Sequence, residues 1–306
     1  SMAEVTALAA AFPDGPAIGI GTPWLEDGVL TNAYAILKGG SVHALRHKVE
    51  LPNYAVFDEK RVFKPGPMPG PVDIDGVRIG FPICEDIWIE DVCECLAETG
   101  AEFLVVPNGS PYTRAKQDIR MQVALARVVE CELPLVYVNQ VGGQDELVFD
   151  GASFVLARDR TLRAQLPAFQ TFVQDVTMTR ASGEWVPEQG ALATLPPTDE
   201  ADWSAAMLGL RDYVDKNRFP GVVIGLSGGI DSAICAALAV DALGEERLHA
   251  IMLPYKSTSS EKPQAVYLIE NFASIARDPI GKAAQHSMAL AIQTQALLEG
   301  YWQAVK

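Results

Sequence analysis

Val222-Val223-Ile224-Gly225-Leu226-Ser227-Gly228-Gly229-Ile230-Asp231-Ser232 is an apolar run followed by a turn of small residues. The β-branched residues 222–224 predict a short buried strand, and residues 233–240 carry the pattern of a buried helix. Strand, glycine turn and helix together aim free backbone N–H groups and a positive helix end at an anion. Gly228 and Gly229 let backbone approach phosphates without a Cβ, and Ser227 and Ser232 add hydroxyl donors. Asp231 stands where a carboxylate caps the helix or helps to hold a metal. No Gly-Lys-Ser/Thr follows at Walker spacing, and Gly-x-Gly-x-x-Gly is not present, so neither of those phosphate sites is expected.

Ser227-Gly228-Gly229-Ile230-Asp231-Ser232 resembles the pyrophosphate loop of the ATP pyrophosphatases, enzymes that adenylate a carboxylate or carbonyl. On that resemblance Gly225, Leu226, Ser227, Gly228, Gly229, Ile230, Asp231 and Ser232 bind ATP, with Asp231 toward Mg²⁺. Downstream, residues 248–253 predict a second strand, giving a right-handed βαβ unit of a parallel sheet.

Length predicts about two domains for 306 residues, and a hydrophobic share of 49% is ordinary for a globular protein with a sizeable core. A formal charge of −15 argues against nonspecific partners such as nucleic acid or an anionic membrane. No apolar run has membrane-spanning length and no signal peptide is expected, with Ser1-Met2 read as a cloning remnant. The five cysteines, Cys84, Cys93, Cys95, Cys131 and Cys235, form neither a disulfide framework nor a zinc pattern. A reduced, cytoplasmic protein is the expectation.

Residues 16–195 read as strands with few helices. Strands are expected at 17–21, 33–37, 42–49, 77–84, 102–107 and 135–139, with Gly39-Gly40 as a turn. Residues 152–156 and 162–166 suggest an outward hairpin. Amphipathic helices are expected at 90–99 and 114–131, the second with Ile119, Val123, Leu125, Ala126 and Val129 inward. Residues 195–200 have linker composition, and 203–216 reads as a helix. Strands alternating with helices predict a layered α/β domain.

Pro82-Ile83-Cys84-Glu85-Asp86-Ile87-Trp88 places a cysteine at the end of an expected buried strand, followed at once by acidic residues. Lys48 precedes Leu51-Pro52-Asn53-Tyr54 at another strand end, and Asn108-Gly109-Ser110-Pro111-Tyr112 closes the next. Together these residues resemble the nitrilase, or carbon–nitrogen hydrolase, superfamily, whose members use a Glu–Lys–Cys triad. The resemblance maps the nucleophile to Cys84 and the lysine to Lys48, with Glu59 as a supporting glutamate. It places Tyr54, Glu85, Ser110 and Lys116 at positions that hold a substrate glutamine, and leaves His43 and His47 on the surface. The implied chemistry is acyl transfer, with the lysine charge lowering the thiol pKa and stabilising the oxyanion.

A nitrilase-like amidase followed by this ATP loop resembles the glutamine-dependent NAD⁺ synthetases over about residues 10–260. Lys48-x-x-Leu51-Pro52-Asn53-Tyr54-x-x-Phe57-Asp58-Glu59, residues 137–143 and Leu253-Pro254-Tyr255-Lys256 add to the likeness. The implied fold is an α-β-β-α sandwich over residues 1–195, then the start of a Rossmann-like adenine-nucleotide hydrolase sheet over 196–306. The implied reaction is ATP-dependent amidation of deamido-NAD⁺ with ammonia from glutamine, using ATP and Mg²⁺ in a homo-oligomer. A stand-alone amidase and a non-catalytic subunit with nucleotide or oligomer contacts are the alternatives.

Two departures shape the expectations. The family's general-base glutamate lies further ahead of the lysine than the 47 residues preceding Lys48, and neither Glu4 nor Glu26 occupies its setting. Slow acylation of Cys84 with very low steady-state turnover is therefore expected. From Glu261 the likeness ends. Residues 265–276 and 283–305 suggest two generic helices in which His286, Tyr301 and Trp302 pack or face solvent.

Overall fold

Alternation along one strand fixes the layering of the first unit. In the computed structural model, which describes residues 2–226 and 229–252, strand β2 (Val29–Lys38) lies between β1 (Ile18–Glu26) and β3 (Ser41–His47) in an antiparallel sheet. Asp27 and Gly28, with φ of 48° and 78°, make the two-residue turn that pairs Glu26 with Val29. Ala35 and Leu37 pack with Val5 and Ala9 of helix α1 (Met2–Ala11). Ile36 points the other way and packs with Val72 and Phe81, flanked by Tyr34 and Val105. A period of two thus gives one strand two apolar faces.

The opposing sheet has six strands in the order β11-β10-β7-β6-β5-β4. They are β4 (Val72–Ile74), β5 (Val77–Gly80), β6 (Phe103–Asn108), β7 (Leu135–Asn139), β10 (Phe154–Leu156) and β11 (Leu162–Gln165). Strands β5, β6 and β7 run parallel, joined through α3 (Glu90–Glu98) and α4 (Lys116–Cys131). Leu104 and Val106 of β6 face those helices, in a cluster with Val92, Leu96, Ala124 and Val128. Helix, sheet, sheet, helix is the α-β-β-α sandwich. Three further elements complete this stretch: a single turn α2 (Glu59–Val62) and the hairpins β8 (Val141–Gln144) with β9 (Leu147–Asp150) and β12 (Met178–Ala181) with β13 (Glu184–Pro187).

Several expectations are corrected. Strand β5 ends at Gly80, so Cys84 is not its last residue; it opens a 3₁₀ turn, Cys84–Ile87. Pro82 has no N–H for a ladder, which stops the strand early. Strands β10 and β11 do not project outward: β10 pairs with β7 and is wholly buried. The buried face of α4 is Arg120, Ala124, Arg127 and Val128, while Ile119 and Val129 are exposed. Arg120 goes inward because its Nη1 reaches both oxygens of Asp150 at 2.8 Å, while Nη2 donates to the carbonyls of Ser110 and Pro111.

Packing divides the chain into two units, residues 1–141 with 149–195 and residues 142–148 with 196–306. In the second, α5 (Thr198–Lys216) starts inside the expected linker, directly after Pro197. Proline has the fixed φ suited to a helix entrance, which shortens the linker. Strands β14 (Val222–Leu226) and β15 (Leu248–Met252) are parallel and connected by α6 (Ile230–Leu243). Ala233, Ala236 and Val240 of α6 pack on Leu226, Ile224 and Leu248. Among the described residues only one face of β14 is covered, and Val223 on the other is 67% exposed. Ser227, Gly228, and the expected features from Leu253 onward, lie outside the described residues.

Removing Asp150 tests the interior of the first unit. Asp150→Ala leaves the fully buried Arg120 guanidinium unpaired, and its unfolding free energy should fall by about 3–5 kcal/mol. Urea denaturation followed by tryptophan fluorescence reads this. A fall of less than about 1 kcal/mol would place the pair in water-like surroundings.

Candidate active site

Lys48 is the first residue beyond β3. Its N–H still donates to the Asn32 carbonyl at 2.8 Å, so the side chain keeps the alternation of the strand and enters the space between the layers. It is 2% exposed, and an ammonium at that depth requires a partner. Residues 51–58 supply one by turning back so that α2 begins with Glu59, whose N–H donates to the Pro52 carbonyl. Lys48 Nζ donates to Glu59 Oε1 at 2.7 Å, and Asn32 Nδ2 to Oε2 at 3.3 Å.

Cys84 enters from the other sheet. Its φ of 49° lies in the left-handed region, an uncommon conformation for a residue with a Cβ. Such strain gathers at functional sites where the surroundings enforce it. Burial pushes the thiol pKa up, and the Lys48 charge and a hydrogen bond from the Gly109 N–H pull against that rise. Cys84, Lys48 and Glu59 line one cleft of about 460 Å³ together with Tyr34, Asn108, Gly109 and Gln140. Gly19, on its rim, has no room for a side chain: a Cβ there would sit 2.1 Å from the Tyr34 hydroxyl oxygen.

A second group of charges lies within electrostatic reach of the sulfur. Tyr54 OH donates to Glu85 Oε1 at 2.7 Å, and burial together with Glu85 pushes the phenol pKa up. Lys116 Nζ stands 4.4 Å from the centre of the Trp88 ring. Partial burial and then Arg120 lower its pKa, while Glu85 and Cys84 act to raise it. Ser110 is placed apart from these. Its hydroxyl accepts from Arg120 Nε at 3.1 Å, and the residue is 4% exposed.

Sequence reasoning gave Asp86 no role, although an acid inside an apolar run was a visible signal. Its carboxylate is buried and accepts three backbone N–H bonds, from Val49, Glu50 and Ile83. Burial pushes its pKa up to about 6 despite those bonds. Arg120 was missed for a different reason: periodicity arguments assign charged residues to the outer face of a helix.

In the second unit the end of β14 and the start of α6 bracket the glycine turn. Gly229 is the N-cap residue, Asp231 is exposed in the first helical turn, and Ser232 Oγ donates to the Gly229 carbonyl at 2.9 Å. Among the described residues no group of three or more acidic, histidine or cysteine side chains is arranged to hold a metal ion. Asp231 is a lone carboxylate, the kind of ligand that Mg²⁺ takes once or twice beside substrate phosphates. Nor does any described helix have the length and apolarity to cross a membrane.

Comparison with known proteins agrees with both halves, and the likeness to the synthetase part does not end at Glu261 as expected but continues to residue 300. Residues 3–185 match the carbon–nitrogen hydrolase family and residues 202–300 match NAD synthase. The glutamine-dependent NAD⁺ synthetase of Rhodobacter capsulatus is 49% identical over 259 residues, covering 85% of this chain and 47% of that protein. The same enzyme of Xanthomonas campestris is 41% identical over 84% of this chain and 47% of its own length. This chain therefore spans about half the length of the curated relatives it matches. Among solved structures, the Acinetobacter baumannii glutamine-dependent NAD⁺ synthetase bound to ADP superposes with a TM-score of 0.80 at 36% identity. That match covers 90% of this chain and 51% of the other. With the family matched along most of its length and the cysteine, lysine and glutamate on one cleft, this chain belongs to the carbon–nitrogen hydrolase family.

Proposed function

We propose that this chain carries the glutamine-hydrolysing part of a glutamine-dependent NAD⁺ synthetase and the ATP loop of its synthetase part. The observation that carries the reading is Cys84, held at φ 49° on a cleft that also contains a buried, ion-paired lysine. In this reading the Cys84 thiolate attacks the side-chain carboxamide of glutamine, and the carbonyl electrons move onto oxygen. Lys48 balances the charge first on sulfur and then on that oxygen, and Glu59 keeps the ammonium in place. The nitrogen takes up the proton that the Cys84 thiol released on ionising and leaves as ammonia. Water then cleaves the thioester, releasing glutamate and restoring the thiol. Glu85 and Lys116 offer opposite charges for the α-ammonium and α-carboxylate of glutamine, with Tyr54 beside them. Ser110 contributes by holding its loop in place, since its hydroxyl, N–H and carbonyl are engaged by Arg120 and Asn139.

The second half of the reaction is adenylation of the nicotinate carboxylate of deamido-NAD⁺ by ATP, followed by displacement of AMP by ammonia. Residues 225–232 bind the phosphates in this reading, supported by the entrance of a 14-residue helix at that point and by the ADP complex of the A. baumannii relative. Asp231 would hold Mg²⁺ in part, and the ion would neutralise charge on the pyrophosphate leaving group. Five free cysteines fit a reducing compartment such as the cytoplasm.

Two measurements test the halves separately. The glutamine analogue 6-diazo-5-oxo-L-norleucine should modify Cys84 alone among the five cysteines, and its rate should keep climbing with pH through the alkaline range. The sign follows from burial, which holds the thiol protonated at neutral pH. Labelling spread over Cys95 and the exposed Cys235 would contradict the assignment. For the ATP loop, Ser227→Ala combined with Ser232→Ala should weaken ATP binding about 10- to 100-fold in calorimetry, the loss of one or two hydrogen bonds to a charged group. Unchanged affinity in a folded variant would remove the loop from the site.

A further inference from the structure

Neither member of the Lys48–Cys84 pair lies within a regular strand. Lys48 follows β3, which ends at His47, and Cys84 comes four residues after β5 ends at Gly80. Their separation is therefore not set by ladder hydrogen bonds between the sheets, and something else must hold the two segments together. One buried carboxylate touches both. Asp86 Oδ1 accepts from the N–H groups of Val49 at 3.1 Å and Glu50 at 2.8 Å, the two residues immediately after Lys48. Its Oδ2 accepts from the N–H of Ile83 at 2.8 Å, the residue immediately before Cys84. Asp86 N–H in turn donates to the Ile83 carbonyl at 3.0 Å, closing the 3₁₀ turn that carries the cysteine. Ile83 and Ile87, both buried, flank the turn with apolar surface.

We propose that Asp86 is a positioning residue, whose carboxylate fastens the segment after Lys48 to the turn bearing Cys84 and so sets the ammonium–sulfur separation. The inference deepens the glutaminase reading and rests on it. A carboxylate suits this task because it accepts from several N–H groups with no donor of its own to collide with them. An asparagine keeps one accepting oxygen and turns an NH₂ group toward the remaining N–H.

A local cap and a positioning residue differ in coupling. As a cap alone, Asp86 would affect stability and leave the influence of Lys48 on the thiol intact. As the fastener, its loss uncouples Lys48 from Cys84. The direction is also diagnostic, since deleting a nearby negative charge should by itself favour the thiolate and speed alkylation. The experiment is a double-mutant cycle on the rate of Cys84 alkylation by 6-diazo-5-oxo-L-norleucine, with thermal melting to verify folding. Lys48→Met should slow the otherwise native chain about tenfold, because losing the ammonium removes more thiolate than the accompanying gain in nucleophilicity restores. Asp86→Ala should slow it by a similar factor, Asp86→Asn by less. Adding Lys48→Met to Asp86→Ala should then change the rate by less than about twofold, since contacting sites are non-additive. A full tenfold effect of Lys48→Met in both backgrounds, or faster alkylation in Asp86→Ala, overturns the inference and leaves the glutaminase reading standing. No effect of Lys48→Met in the native background overturns the reading itself, and the inference with it.

Discussion

An ammonium group at 2% exposure is a costly thing to bury, and the segments around Lys48 are arranged to give it a partner. Glu59 pairs with it, Asn32 holds the second oxygen of Glu59, and the return of residues 51–58 that delivers Glu59 also delivers Tyr54 to Glu85. Without the lysine charge the opposing thiol would feel burial with only the Gly109 N–H against it. The same low-dielectric surroundings that raise the thiol pKa also strengthen the lysine's effect on it. In the proposed reaction the cleft thus joins a nucleophile that needs activation to a cation placed to provide it.

A second buried ion pair, Arg120 with Asp150, has a different character. Its guanidinium donates along its whole fork to Asp150, the Ser110 hydroxyl and two carbonyls, leaving no N–H directed at a substrate. It anchors residues 110–111 to the start of α4, and with them the loop that presents the Gly109 N–H to sulfur. Lys48, in contrast, donates to Glu59 with one of its three N–H bonds and lines the cleft. Satisfaction of hydrogen-bonding capacity separates the pair that holds the wall from the pair that faces the chemistry.

Much of the architecture was legible because local signals matched tertiary needs. Gly39-Gly40 adopts positive φ at the expected turn, and residues 135–139 form the expected strand. Cys84, Lys48 and Glu59 were legible through the resemblance to the carbon–nitrogen hydrolases, and the three share one cleft. What escaped was whatever depends on a distant partner. The inward side of α4 is written in arginines, and Arg120 is understandable only with Asp150, thirty residues away. Ser110 looks like a free hydroxyl in a turn until Arg120 claims it. Asp86 carries no helical or strand periodicity, since two of its three partners are backbone groups on the distant segment after Lys48 and the third closes its own turn. Val223 reads as core because β-branched residues favour strands, yet only one face of β14 is covered among the described residues.

In the proposed reaction glutamine acylates Cys84 with Lys48 assisting. Rapid acid quench of the protein mixed with glutamine, followed by peptide mass spectrometry, measures this most directly. The account predicts a γ-glutamyl thioester on the Cys84 peptide, removed by hydroxylamine as the hydroxamate and strongly diminished in Lys48→Met. Absence of any acyl adduct on Cys84, or an adduct unaffected by Lys48→Met, would contradict it.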